Sequence, residues 1–264
     1  MANVLVISDL FPDDLTSGHH LRVNYLCREL TREFSCYFIA LSEGRDSVGS
    51  DSIPPFIESH RLPAPELGTR SVLRHLRLTN QRYTQRSWPG HFTSTMKHLR
   101  QCVQEWSIDA VVNFSPLLGE YSLSLDRPAM LDICDCHTLT IERALANRGH
   151  EIPPIARLRN RLQLFRQKHR EKRMVRQHAA ITTIGEPDKT RLLEISGVEE
   201  DCVAVVPNGV SSDAMTQFDV ENSGSRSIVF WGNLDFPPNW TAVEGFYREV
   251  FLPYLADKDI HWHI

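Results

Sequence analysis

Apolar residues in the first two hundred positions form short, nearly unbroken runs separated by stretches of helical spacing. "NVLVIS" (3–8) reads as a strand buried on both faces. Leu21, Tyr25, Leu26 and Leu30 then recur on one side of a helix, and "CYFIAL" (36–41) follows as a second strand. Pro54, Pro55, Pro63 and Pro65 bracket a third, "FIESHRL" (56–62). Helices are predicted over 69–86 and 92–106, strands at "DAVVNFS" (109–115) and "AMLDICD" (129–135), and a helical hairpin over 137–178. "AAITTIG" (179–185), a helix over 186–196 and "CVAVVPN" (202–208) complete the series. Strands without polar alternation, separated by helices, imply a parallel sheet covered on both faces: an α/β, Rossmann-like domain.

The pattern changes after Pro207. "NGVSSDAMTQFDVENSGSRS" is polar and rich in Ser, Asn and Gly, and reads as a linker or surface loop. A new β-α-β then begins: "SIVFWG" as a strand, "NLDFPPNW" as a loop, a helix over 241–255, and "HWHI" as a strand. The division is therefore a domain at 1–208, a linker at 209–226 and a second unit at 227–264. In the closing "DIHWHI", Ile260, Trp262 and Ile264 alternate with His261 and His263, as in a strand with one buried face. One crossover with two strands cannot bury its own faces. The second unit is expected to lean on the first domain, a partner chain or further residues.

Composition narrows the classes. Lys and Arg number 29 against 33 Asp and Glu, a formal charge of −4, which argues against a nucleic-acid partner. The start, "MANVLVISDLF", has no basic region before a long apolar run, so no secretory signal is expected, and no segment is apolar enough to span a membrane. The six cysteines, at 27, 36, 102, 134, 136 and 202, are scattered and read as reduced cytosolic thiols. No G-x-G-x-x-G follows the first strand and no phosphate-loop motif occurs, which sets NAD and P-loop chemistry aside.

"VVPNGV" (205–210), the polar stretch, "IVFWGNLDFPPNWTAVEGF" and "EVFLPYL" together resemble the domain crossover of the retaining glycosyltransferases of family four, which have a GT-B fold. The subgroup with "NLDFPPN" at this turn includes bacterial sugar transferases of exopolysaccharide systems. "LTSGHHLRVNYLCREL" resembles the family's first loop and helix, and "TTIGEPDKTRLL" its strand and helix before the crossover. The resemblance implies a GT-B N-terminal, acceptor-side domain plus a truncated first β-α-β of the donor-binding domain. It further implies a nucleotide-sugar as co-substrate, a glycan or lipid-linked acceptor, and no metal or other cofactor. Most donor-binding residues would lie beyond Ile264, with a missing C-terminal polypeptide as one partner, so this chain alone is expected to be inactive or nearly so. A cytoplasmic location, peripheral to the inner membrane face, fits such a role. Two other readings stay open: a non-catalytic α/β module that binds a glycan or partner, and a GT-B sugar-nucleotide epimerase.

Ligands of an open parallel sheet sit at the carboxyl ends of its strands, near helix N-termini. In the first such loop Ser17 or Thr16 could cap a helix, and Gly18 lets a phosphate or sugar approach the backbone. The resembled family has two glycines there, facing the donor diphosphate, where this chain has Ser17 and Gly18. "LDICDCHTLT" (131–140) places Asp132, Asp135 and His137 at the same rim. The resemblance makes His137 the residue that contacts the transferred sugar or its leaving group, with Asp135 next. The alternative is that Asp135 or Thr138 only caps the helix and His137 packs. A zinc site at Cys134, Cys136 and His137 lacks a fourth ligand and a second knuckle. By resemblance Glu186, Asn208, Gly209, Gly232 and Asn233 belong to the cleft. The Glu-x7-Glu spacing of Glu186 and Glu194 is not the family's donor motif, which lies after the crossover; Glu58 and Glu66 have the same spacing by chance.

Residues 157–176 hold nine Lys or Arg against one acid, Glu171, with Leu158, Leu162 and Phe165 on one stripe. Arg70, Arg74 and Arg77 form a second basic stripe at helical spacing. These read either as solvated helix faces or as surfaces attracted to anionic lipid or a lipid-diphosphate acceptor.

Overall fold

β1 (Asn3–Ser8) runs through a seven-stranded parallel sheet, and its side chains divide between two cores. Leu5 and Ile7 enter one, with Ile39, Leu41 and Val111; Val4 and Val6 enter the other, with Cys36, Phe38, Ala40 and Val112. The strand's period of two makes this division. α2 (Pro89–Glu105) covers the first face with Met96, Leu99 and Val103, and α1 (Gly18–Glu33) covers the second with Val23 and Cys27. Burial on both faces is why β1 shows no polar alternation.

The computed structural model describes residues 1–13, 17–42, 53–64, 85, 88–148, 154–209, 226–234 and 237–264. Contacts divide it into two compact units, Met1–Asn208 and Gly209–Ile264. The first unit also contains β2 (Ser35–Leu41), β3 (Glu58–Leu62), β4 (Ala110–Asn113), β5 (Ala129–Cys134), β6 (Ala180–Thr183) and β7 (Val203–Val205), in the spatial order β3-β2-β1-β4-β5-β6-β7. The chain winds outward from β1 in one direction and from β4 in the other. Their carboxyl ends therefore flank the topological switch point, where this class of sheet leaves a crevice.

The expected elements are present with shifted edges. α2 begins at Pro89 rather than at 92, because a proline fits the first helical turn, where no N–H is needed. A 3-10 turn (Pro116–Leu118) and the short α3 (Gly119–Ser122), which the sequence pattern did not reveal, follow β4. The hairpin is α4 (His137–Arg148) and α5 (Pro154–Gln177). α6 (Glu186–Ser196) ends at Gly197, whose φ of +67° closes the helix in the left-handed conformation that glycine adopts without strain. The helix predicted over 69–86 falls largely outside the described residues.

In the second unit β8 (Ser227–Val229) pairs in parallel with β9 (His261–His263). The connecting helix α7 (Pro237–Phe246) again starts on a proline, inside the segment expected to be loop. It continues as a π-helical segment, Tyr247–Leu255. Pro253 within it has no N–H to donate to an α-helical ladder, and the wider turn accommodates that loss. Trp262 of β9 is surrounded by the rings of Phe246, Tyr247 and Phe251, with centroids 5.2 to 5.8 Å away.

Candidate functional site

Asp9 leaves β1 at the switch point, and Ser115 leaves β4 beside it. Asn113, buried in β4, fixes that second exit by accepting the Ser115 N–H at 2.8 Å. The Asn113 amide in turn donates to Ser122 Oγ at 3.0 Å, and His178 Nε2 lies 3.0 Å from the same oxygen. His178 Nδ1 faces the Met174 carbonyl at 2.8 Å, so it carries the ring proton, and Nε2 accepts from Ser122. Burial holds the His178 pKa below its ordinary value of 6.5. This buried chain of bonds anchors the β4 exit from below.

Burial, the largest single influence, works against a charge on Asp9, but His19 beside it, the Ser115 hydroxyl and the local backbone N–H together outweigh burial. The Asp9 pKa is therefore lowered, and the group is a carboxylate at neutral pH. His19 Nε2 lies 3.5 Å from Asp9 Oδ1. Ser17 caps α1 by accepting the His20 N–H at 3.3 Å, and its hydroxyl lies 2.6 Å from His20 Nδ1. Gly18 is exposed, with open space around it, so a ligand could approach the backbone there. Thr16 lies outside the described residues.

Asp132 does not belong to the exposed rim. It is buried in β5, where Arg22 of α1 grips it through Nε and Nη2, both at 2.8 Å. Thr182 Oγ1 donates to it at 2.7 Å. Arg22 Nη1 reaches the Val206 carbonyl at 2.8 Å and Asn208 Oδ1 at 3.0 Å. Asn208, a cleft residue by resemblance, is thus held by the ion pair that fixes the end of β7.

Two residues beyond Asp132 the backbone turns sharply. Cys134 has φ +61°, a conformation that costs a non-glycine residue about 1–2 kcal/mol. The β5–β6 register shifts between Asp132 and Cys134. The turn delivers Asp135 and His137 to the surface at the carboxyl edge, both exposed. Burial, then the neighbouring Asp188 carboxylate, raise the Asp135 pKa, and solvent reaching more than a third of its surface tempers the effect.

The N-terminus of α4 is not capped by Asp135 or by the Thr138 side chain. Asp188 of α6 accepts the Cys136 N–H at 2.8 Å, and Glu171 of α5, itself buried, accepts the Thr138 N–H at 3.2 Å. Two carboxylates at one helix N-terminus complement its dipole. They lock the helix that carries His137.

Glu186 is exposed in the first turn of α6, beside Asp188 on the same helix. Glu194 belongs to a surface network, paired with Arg191 at 2.5 Å. Gly209 is exposed with open space around it. In the second unit, a Cβ on Gly232 would lie 2.9 Å from Asn239 Nδ2 and 3.0 Å from the Phe230 ring, so only glycine fits without a shift. Asn239 donates to the Asn233 carbonyl at 2.9 Å, which holds this strand exit against the start of α7. Arg70, Arg74 and Arg77 lie outside the described residues.

Along α5, Ile155, Leu158, Leu162 and Phe165 are exposed and share one helical stripe, with Arg159, Arg161 and Lys168 nearby in sequence. All six cysteines are free thiols. Among the described residues no helix is long and apolar enough to cross a membrane. A cavity of about 510 Å³, lined by Gln85, Glu120, Leu123, Ser124, Arg173 and Gln177, adjoins segments that lead into β5 and β6, away from the carboxyl rim.

Sequence reasoning missed Asp9, Arg22, Ser115, Glu171 and Asp188. Position alone could have suggested Asp9 and Ser115, since Asp9 directly follows a buried strand and Ser115 lies two residues beyond the end of another. Nothing local distinguishes Arg22 from a solvated helix charge.

No family model matches the chain, and no curated protein matches it significantly. Among solved structures, sucrose-phosphate synthase from Thermosynechococcus elongatus superposes with a TM-score of 0.53 at 9% identity, covering 89% of this chain and 56% of that one. UGT2 of Phytolacca americana, complexed with UDP-2fluoro-glucose and pterostilbene, superposes with a TM-score of 0.51 at 14% identity, covering 88% of this chain and 60% of that one. Its apo form gives 0.50 at 13% identity. These neighbours are GT-B glycosyltransferases, and the likeness lies in the fold: a seven-stranded, Rossmann-like parallel sheet with helices on both faces. The chain spans under two thirds of either neighbour's length.

Proposed function

We propose that this chain is the acceptor-side domain and first donor-side unit of a glycosyltransferase that uses a nucleotide-sugar donor and retains anomeric configuration. The observation that carries the reading is a switch-point rim built on the neighbours' fold and furnished for sugar and diphosphate chemistry. It offers one carboxylate held charged (Asp9), one carboxyl whose proton is retained more readily (Asp135), an exposed imidazole (His137) and the open N-terminus of α1 at Gly18. In this assignment His137 contacts the transferred sugar or its leaving group, and Asp135 orients or protonates beside it. The N-terminus of α1, which has no acidic residue in its first turn, stabilises negative charge that develops on the diphosphate, and no metal takes part at this rim. Retention and the exopolysaccharide-type acceptor rest on the "PNGV" and "NLDFPPN" resemblance. A lipid-linked acceptor is supported by the first half of α5, where the exposed Ile155, Leu158, Leu162 and Phe165 lie among cations that an anionic headgroup would attract.

The test is saturation-transfer NMR of the full chain with UDP- and GDP-sugars and with glycan acceptors. Contact with at least one of these, weakened tenfold or more in His137→Ala with unchanged circular dichroism, is expected. Absence of contact with every donor and acceptor at millimolar concentration would sink the assignment.

A further inference from the structure

On the opposite flank of β1 from β4, the edge strand β3 and helix α2 bring together three side chains that the glycosyl-transfer reading does not use. Glu58 and His60 alternate along β3 and so project to the same side of the sheet. His98 and Cys102 lie one turn apart on α2, and Trp106 follows one turn later at its end. The ring nitrogens His60 Nδ1 and His98 Nε2 are 3.1 Å apart, and Cys102 Sγ is 3.8 Å from His60 Nδ1. One ligand atom from each of the three residues lies within 4.8 Å of the others. A tetrahedral zinc ion, with bonds of about 2.0–2.1 Å to nitrogen and 2.3 Å to sulfur, sets its ligands roughly 3.3 Å (N to N) and 3.6 Å (N to S) apart. The observed separations approximate that spacing.

The surroundings prepare the donor atoms. Glu58 Oε1 lies 2.8 Å from His60 Nε2, so that nitrogen carries the proton, and the Nδ1 lone pair turns toward His98 and Cys102. Trp106 Nε1 donates to the other Glu58 oxygen at 3.1 Å, and the Trp106 ring stands edge-on to His60 with centroids 5.0 Å apart. A carboxylate on the outer nitrogen of a histidine is the usual support of a metal-ligating imidazole. Cys102 is buried. A cavity of about 340 Å³, bordered by Phe11, Ser59, His60, Arg61, Leu62 and His98, leaves room for water as a fourth ligand.

We propose that His60, His98 and Cys102 form a binding site for one zinc-class divalent cation, with Glu58 as the residue that positions His60. Two imidazoles and a thiolate suit zinc and its neighbours rather than magnesium or calcium, which prefer oxygen. The ion would tie the edge strand β3 to α2 independently of the rim that holds Asp135 and His137.

The test is cobalt(II) titration of the full chain after chelation, read by absorption, with zinc competition. The expected result is one cobalt per chain with a thiolate-to-cobalt charge-transfer band, displaced by zinc. Cys102→Ser should abolish that band, and Glu58→Gln should weaken affinity about 10–100-fold. His98→Gln is the second variant should Cys102→Ser misfold by circular dichroism; it should weaken affinity at least tenfold. Absence of the band in the unaltered chain, its persistence in folded Cys102→Ser, or unchanged cobalt affinity in His98→Gln would overturn the site.

Discussion

Arg22 and Asp132, 110 positions apart, form a bidentate ion pair with side-chain exposures of only 2% and 0%. The pair joins α1 to β5, and through Thr182, Val206 and Asn208 it also binds β6 and the exit of β7. A buried pair gains little over apolar packing but is costly to break, because the remaining partner keeps its charge without water.

Arg22→Ala should therefore destabilise the domain by about 3–5 kcal/mol, measured by urea unfolding. The double variant Arg22→Met, Asp132→Leu should recover most of that loss. Recovery would show that the pair serves geometry at the rim more than net stability.

His178 sets a pH dependence. Its folded pKa lies below the unfolded value of 6.5, so between the two the unfolded chain binds more protons. Stability should fall as the pH drops below about 6.5, until the lower folded pKa is passed, and should be flat above. The window lies above that of Asp9 and Glu142, whose pKa values are lowered from 3.8 and 4.5. In His178→Gln this slope should vanish when unfolding free energy is measured across pH.

Asp188 helps raise the pKa of Asp135. Asp188→Asn keeps an oxygen for the Cys136 N–H while removing the charge. The Asp135 carboxyl resonance, followed by carbon-13 NMR, should then titrate at lower pH than in the unaltered chain. An unchanged titration would assign the shift to burial alone.

The stripe of α5 should bind vesicles containing anionic lipid and leave neutral ones. Leu158→Glu combined with Phe165→Glu should reduce co-sedimentation tenfold or more, since both side chains are exposed and their loss removes no core contact.

Much of the fold was legible because its strands are buried on both faces, so that "NVLVIS" and "CYFIAL" could be little else. Helix starts were less legible. The helix predicted from 92 left Pro89 outside it and Pro237 fell in a predicted loop, yet proline in a first turn forfeits no hydrogen bond. At the rim, Asp135 and His137 were found by their place after β5. Arg22 was not, because a charged helix residue looks the same in sequence whether it meets water or an aspartate 110 positions away. His98 and Cys102 carried a visible i, i+4 spacing, but their third partner, His60, arrives only through the pairing of β3 with β2.

The central proposal is that ligand binds at the carboxyl rim of the sheet. Amide chemical-shift mapping of the full chain during separate titrations with a nucleotide-sugar and with a glycan acceptor tests it most directly. Saturable shifts at Asp9, Ser17, Gly18, Ser115 and residues 134–137 are predicted. Saturable shifts confined to the distant cavity near Glu120, Arg173 and Gln177, or no saturable shift at the rim, would contradict it.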